Sequence, residues 1–177
     1  MPVRQGGGVS IPAEAPVTMA DPQWKPSTRA PMLWAVNAAL MWLPVFVAQI
    51  VWAVLDGRWT TWPHVTAFAV SAVLALAHVT VVPRWRFRVH RWEISDTAVY
   101  TRTGWFTQER RIAPITRIQT VDTERGPIDR LLGLATVTVT TASSAGAVRI
   151  AALDTDVADT TVARLTEIAG RHQGDAT

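Results

Sequence analysis

Two long stretches of the chain show no alternation of polar and apolar positions. Residues 32–55 and 65–82 are apolar on every face and contain no Asp, Glu, Lys or Arg. A helix that is hydrophobic all round has to be surrounded by protein or by lipid. At 1.5 Å per residue the first run spans roughly 36 Å, enough for a bilayer core of about 30 Å with some tilt, and the second reaches the lower limit for a span. Between them lies Asp56-Gly-Arg-Trp-Thr-Thr-Trp-Pro63, whose Asp-Gly and Pro end one helix and start the next. The pattern predicts a transmembrane helical hairpin over residues 32–83. A cleavable signal needs a short basic start and a small-residue cleavage site, whereas here a long Pro-rich segment precedes the first run and a second run follows within ten residues.

After the hairpin the period changes. Arg84, Arg86 and Arg88 alternate with Trp85, Phe87 and Val89, a period of two that predicts a strand or an extended exit from the membrane. Short β-branched and aromatic runs follow at 98–103, 105–112, 115–121, 135–140 and 148–151, with Val137 and Val139 facing one way. Thr103-Gly104 and Ser143-Ser-Ala-Gly146 supply turns, and Ile118 and Val121, three apart, suggest a bulge. From 155 to 169 the period becomes helical, with Asp154 and Asp156 at the start and Gly170 after the last apolar position. These acids serve the helix dipole; the Gly and late Glu of a calcium loop are missing. Residues 84–177 thus form one small domain of antiparallel strands closed by a C-terminal helix. Residues 1–31, with Gly6 to Gly8 and six prolines, carry little that could form a core and are expected to be a disordered tail.

Charge sets the orientation. Lys25 and Arg29 precede the first span, Arg58 alone lies in the loop, and Arg84, Arg86, Arg88 and Arg91 follow the second. The positive-inside rule then puts both termini in the cytoplasm, with the domain on the inner face of the membrane. Trp34 and Trp85 are expected at the inner interface, and Trp52, Trp59 and Trp62 at the outer one. Arg84, Arg86, Arg88 and Arg91 become candidate contacts with an anionic lipid surface. Inside the hairpin, pairing residue 32 with residue 83 sets Asn37 level with His78 and Gln49 level with Thr66, as packing hydrogen bonds between the helices. Ala67, Ser71 and Ala75 give the second helix one face of small residues.

The segment Arg111-Ile-Ala-Pro-Ile-Thr-Arg-Ile-Gln-Thr-Val121, then Gly126-Pro-Ile-Asp-Arg-Leu-Leu-Gly-Leu-Ala-Thr-Val137 and Thr140-Thr-Ala-Ser-Ser, resembles the membrane-flanked, YdbS-like bacterial pleckstrin-homology (PH) domains. The resemblance covers the hairpin and residues 92–168. It implies a strongly bent antiparallel β-sandwich or barrel capped at one end by the C-terminal helix, with a short turn at Leu131 ended by Gly133. The fold class is therefore a membrane-anchored α+β chain.

No Cys is present, which excludes disulfides, Cys-type zinc sites and thiol nucleophiles. There is no phosphate-cradling loop, no Gly-x-Ser-x-Gly and no His-Glu-x-x-His, and His64, His78, His90 and His172 do not converge in sequence. The chain is read as a non-enzyme with no cofactor and no metal. Some PH domains bind inositol phosphates through basic residues on the first hairpin loop, but here that turn, Ile94-Ser-Asp-Thr-Ala98, holds an acid and no base, so phosphoinositide binding is not supported. A net charge of +3 gives no argument for nucleic acid. The expected partners are the lipid bilayer and another membrane protein or a second copy of the chain. The function expected is presentation of a PH-like domain at the membrane for protein–protein or anionic-lipid contact. The alternative is a small transport or sensing subunit that uses the polar residues of the hairpin, His78 first.

Overall fold

The computed structural model describes residues 22–57, 61–104, 107–142 and 146–174. Helices α1 (Ala30–Asp56) and α2 (Trp62–Val89) form an antiparallel hairpin, and both are long and apolar enough to cross a membrane. Gly57 closes α1 at φ 65°, a left-handed position that only glycine adopts without strain. Each helix tolerates an internal proline, Pro44 and Pro83. Arg58 to Thr60, and Trp59 with them, lie outside the described residues.

Helix α2 corrects the reading of the membrane exit. Residues 84–89 are its last turns, and the first strand is only β1 (Arg91–Ile94). Six alternating residues are too few to separate a strand from a helix that is already nucleated, since propagation costs far less than initiation. Two arginines secure the end by hydrogen bonds. The Arg84 guanidinium donates to the Thr80 carbonyl at 2.6 Å, and that of Arg91 donates to the carbonyls of Phe87 and His90 at 3.3 and 2.8 Å. Arg86 and Arg88 lie in the last turn, where positive charge complements the helix dipole.

The domain continues with β2 (Ala98–Thr103), β3 (Glu109–Pro114), a 3₁₀ turn at Ile115–Arg117, β4 (Ile118–Glu124), α3 (Pro127–Leu132), β5 (Leu134–Thr141), β6 (Val148–Asp154) and α4 (Thr155–Gly174). Strands β1-β2-β3 form one antiparallel sheet and β4-β5-β6 another. Their inner faces and α4 enclose a core that includes Val99, Ile115, Val137, Val139, Ile150, Leu153 and Leu165. In α4 the buried positions Ala158, Thr161, Leu165 and Ile168 follow the helical period.

Several boundaries moved for local reasons. The strand expected at 105–112 is β3, starting at Glu109, and Trp105 and Phe106 lie outside the described residues. Gly104, at φ 107°, turns so tightly that a Cβ there would collide with the Thr107 carbonyl. The run 115–121 begins as a 3₁₀ turn, and the register shift between Ile118 and Thr120 is the bulge that the spacing suggested. Helix α4 passes through Gly170 to Gly174, because a glycine stops a helix only where it turns left-handed and Gly170 does not.

The expected tail also ends earlier. Residues 1–21 lie outside the described residues, but from Pro22 the chain is docked. Trp24 exchanges two backbone hydrogen bonds with Trp92, at 3.0 and 2.9 Å, and their indoles meet edge to face at 4.9 Å. The Ser27 amide donates to the Ala152 carbonyl, and its hydroxyl donates to Asp154 at 2.7 Å. Ala152 adopts φ 57° to offer that carbonyl, inside a bulge of β6. A second small core of Ala30, Leu33, Trp34, Leu134 and Ala152 joins the base of α1 to this sheet.

Within the hairpin the polar partners differ from those expected. The Trp42 indole N–H donates to His78 Nδ1 at 3.1 Å, and the Gln49 amide donates to the Ser71 hydroxyl at 2.9 Å. The numbers of both pairs sum to 120 rather than 115, because α2 starts at Trp62 and the two helices are offset by more than a turn from the assumed register. Asn37 and Thr66 are exposed on the helix surface. A double-mutant cycle on Trp42→Phe and His78→Leu should therefore give a coupling of about 0.6 kcal/mol, up to 1–2. Asn37→Ala and His78→Leu should add without coupling when unfolding of the full-length protein in detergent is measured.

Candidate functional site

The hairpin and the domain enclose a cavity of about 510 Å³ where they meet. Leu33, Trp34 and Asn37 of α1 and Arg86 of α2 form its hairpin side. Thr101, Thr103, Glu109 and Arg111 of the first sheet and Thr136, Ala151 and Arg149 of the second form the domain side, with His90 and Asp129 between.

Trp34 sits at the centre of this wall. It is buried rather than spread along a lipid interface as its position suggested, and the Arg86 guanidinium lies over its ring at 4.5 Å. Stacking of this kind contributes about 0.5 to 2 kcal/mol and orients the guanidinium plane. Among the described residues Arg86 forms no ion pair or side-chain hydrogen bond, whereas a half-buried guanidinium without a counter-charge is destabilised by desolvation. The other charges of the lining are engaged. Glu109 pairs with Arg111 at 2.7 Å, and Arg111 also donates to the Ala147 carbonyl. Arg149 pairs with Glu124 at 2.7 Å, and Asp129 accepts from the Gly126 amide.

His90, one residue after α2, is 4% exposed, and neither of its ring nitrogens has a hydrogen-bond partner. Its ring contacts Trp34 at 5.5 Å. Burial, then the positive charges of Arg86 and Arg91, hold its pKa down to about 4, so the imidazole is neutral near pH 7.

The residues expected as a lipid-facing row are therefore divided. Arg84 and Arg88 are exposed, Arg91 is half-buried against the end of α2, and Arg86 faces the cavity. The Arg86–His90 spacing of four on a helix could have revealed this, but the alternating pattern pointed to a strand. A second histidine lies at the far end of the hairpin. His64 Nε2 and Asp56 Oδ2 are 3.0 Å apart, and Trp52 meets the ring at 4.1 Å. No periodicity or motif joins Asp56 and His64, which flank the interhelical loop.

A family model described as "Bacterial PH domain" matches residues 27–168, covering the base of the hairpin, both spans, the two sheets and most of α4. The chain belongs to the bacterial PH domain family. It is 33% identical over 101 residues to the UPF0699 transmembrane protein YdbS of Bacillus subtilis (strain 168), a match that covers 55% of this chain and 62% of that one. No solved structure matches. The family, the transmembrane relative and the two apolar helices together make this a membrane protein with two spans and a PH domain, of the YdbS-like kind. The match starts within the docked segment, at Ser27. The cavity lies between α1 at Asn37 and the last turn of α2 at Arg86.

The depressed His90 pKa links stability to pH. In the unfolded chain the ring titrates near 6.5, and in the fold near 4, so between these values the unfolded state binds more protons. The stabilising contribution is complete above about pH 7 and is lost as pH falls toward 4. Between pH 7 and pH 5 the full-length protein in detergent should lose about 2 kcal/mol from this group. Chemical unfolding of His90→Phe should show most of that pH-dependent difference removed.

Proposed function

We propose that this protein is a non-enzymatic module anchored in the bacterial plasma membrane, with both termini cytoplasmic, whose PH domain takes a protein partner along the edge of β4. The observation that carries this reading is the seven-residue edge strand Ile118–Glu124, whose outer side pairs with no other strand among the described residues. Unpaired backbone groups on such an edge are a ready template for a partner strand. Gln119, Thr120, Asp122, Thr123 and Glu124 are all exposed along it. Just beyond its end, α3 presents Leu131 at 85% exposure, the most exposed large apolar side chain among the described residues of the domain. Acidic residues outnumber basic ones from 118 onward, which favours a basic partner strand, from another membrane protein or from a second copy of the chain.

Lysine and arginine counts around the spans support the cytoplasmic orientation. Arg84 and Arg88, exposed at the end of α2, are the residues proposed to meet anionic headgroups, each with a gain of about 1 kcal/mol. His78 accepts a hydrogen bond from Trp42, a packing role that favours the module over transport or sensing through the hairpin.

A photo-crosslinking residue placed at Thr120 in the full-length protein, activated in native membranes, should give a discrete protein adduct. Adding Thr123→Lys or Leu131→Asp should reduce that adduct about fivefold or more, equivalent to about 1 kcal/mol at the contact, with the thermal midpoint unchanged. Absence of a discrete adduct, or one that survives both changes, counts against the reading.

A further inference from the structure

We propose that the cavity between the hairpin and the PH domain is a binding site for a phosphate-bearing anion, with Arg86 as its principal ligand and Arg149 as a second from the opposite wall. The site does not depend on the partner proposed at the β4 edge, though Arg149 also pairs with Glu124 at the end of that strand, both side chains exposed.

The charge arrangement carries the inference. Three arginines and two carboxylates line the cavity, and both carboxylates are engaged, Glu109 with Arg111 and Asp129 with the Gly126 amide. Arg86 is left with no anion, yet it is held in place on the Trp34 ring rather than extended into water. A planar guanidinium fixed by stacking is pre-organised to receive a phosphate through two parallel N–H groups. His90 closes the floor with two buried ring nitrogens that no protein group satisfies, and burial first, with Arg86 and Arg91 after it, keeps the ring neutral. A volume of about 510 Å³ lies within the range that holds a small ligand.

Position narrows the source of the phosphate. The cavity runs from Asn37, inside the first span, to Arg149 on β6, so it crosses the headgroup layer of the leaflet beside the domain. A lipid phosphate reaches it with its chains still in the bilayer, and a soluble phosphate reaches it from the domain side. The β1–β2 turn, at Ser95 to Thr97, contributes nothing to this lining and has no basic residue.

The test is a titration of the detergent-solubilised full-length protein with dihexanoylphosphatidylglycerol, dihexanoylphosphatidylcholine and inorganic phosphate, each probe alone. Saturable binding of the anionic lipid, weakened about tenfold or more in Arg86→Gln and severalfold in Arg149→Gln, is the expected result. Arg117→Gln, an equal loss of charge at an exposed site on the 3₁₀ turn, should change the affinity less than about twofold. The same pattern with inorganic phosphate supports the site with a soluble source, and preference for the anionic over the zwitterionic lipid supports the lipid source. Equal weakening by Arg86→Gln and Arg117→Gln, or no saturable binding of either the anionic lipid or phosphate, overturns the proposal. If Arg86→Gln loses its circular-dichroism signature of folding, Arg149→Gln, at an exposed side chain, decides the question.

Discussion

The structure depends on how a membrane hairpin is joined to a soluble domain without a flexible linker. Helix α2 runs unbroken to Val89, and one residue later β1 begins. The direction of the helix therefore fixes the direction of the first strand, and the packing of Ala30, Leu33 and Trp34 against Leu134 and Ala152 fixes how the domain is seated on the hairpin. The strand-like segment before α1 adds a third tie, from Trp24 to β1 and from Ser27 to β6. Both chain segments leaving this end of the hairpin bond to the domain, so a tilt of the spans is carried to the sheets rather than absorbed.

That rigid joint explains why charge collects there. Cations at the end of α2 complement its dipole and follow the positive-inside rule, which accounts for Arg84, Arg88 and Arg91. Arg86 is one turn from the end and points to the domain, where a lipid-facing reading has no place for it. The domain then supplies Arg111 and Arg149 from two different sheets to the same enclosure. A cavity bounded by spans on one side and strands on the other can respond to a ligand only by changing how the two parts are seated.

The spans were legible because lipid demands apolarity on every face, a signal that no local packing choice obscures. Strand β2 and the bodies of β5 and α4 were legible for a similar reason, since Val137 and Val139, or Ala158, Leu165 and Ile168, carry the period of their own element. The last turns of α2 were not, because alternating Arg and aromatic residues satisfy a strand pattern over six positions while the preceding helix decides the outcome. The docking of Trp24 and Ser27 rests on one β-bridge and one hydroxyl, too little to leave a period. The cavity was invisible for the same cause in stronger form: Trp34, Arg86, Arg111 and Arg149 lie on four elements, and only the closure of the two sheets over the hairpin brings them together. Residues at the interhelical level were misjudged by about five positions, because uniform apolarity identifies a span without fixing its register.

The central claim is that hairpin and domain form one body through this joint. Hydrogen exchange of the full-length protein in lipid nanodiscs tests it directly at the amides of Trp24, Ser27 and His90, which donate to Trp92, Ala152 and Arg86 carbonyls respectively. The account predicts protection at all three within about tenfold of that at Val137 in the sheet core, because opening the joint would require opening the domain. Rapid exchange at His90 and Trp24 beside a protected Val137 would contradict it, leaving a domain that hangs from the membrane on a loose connection.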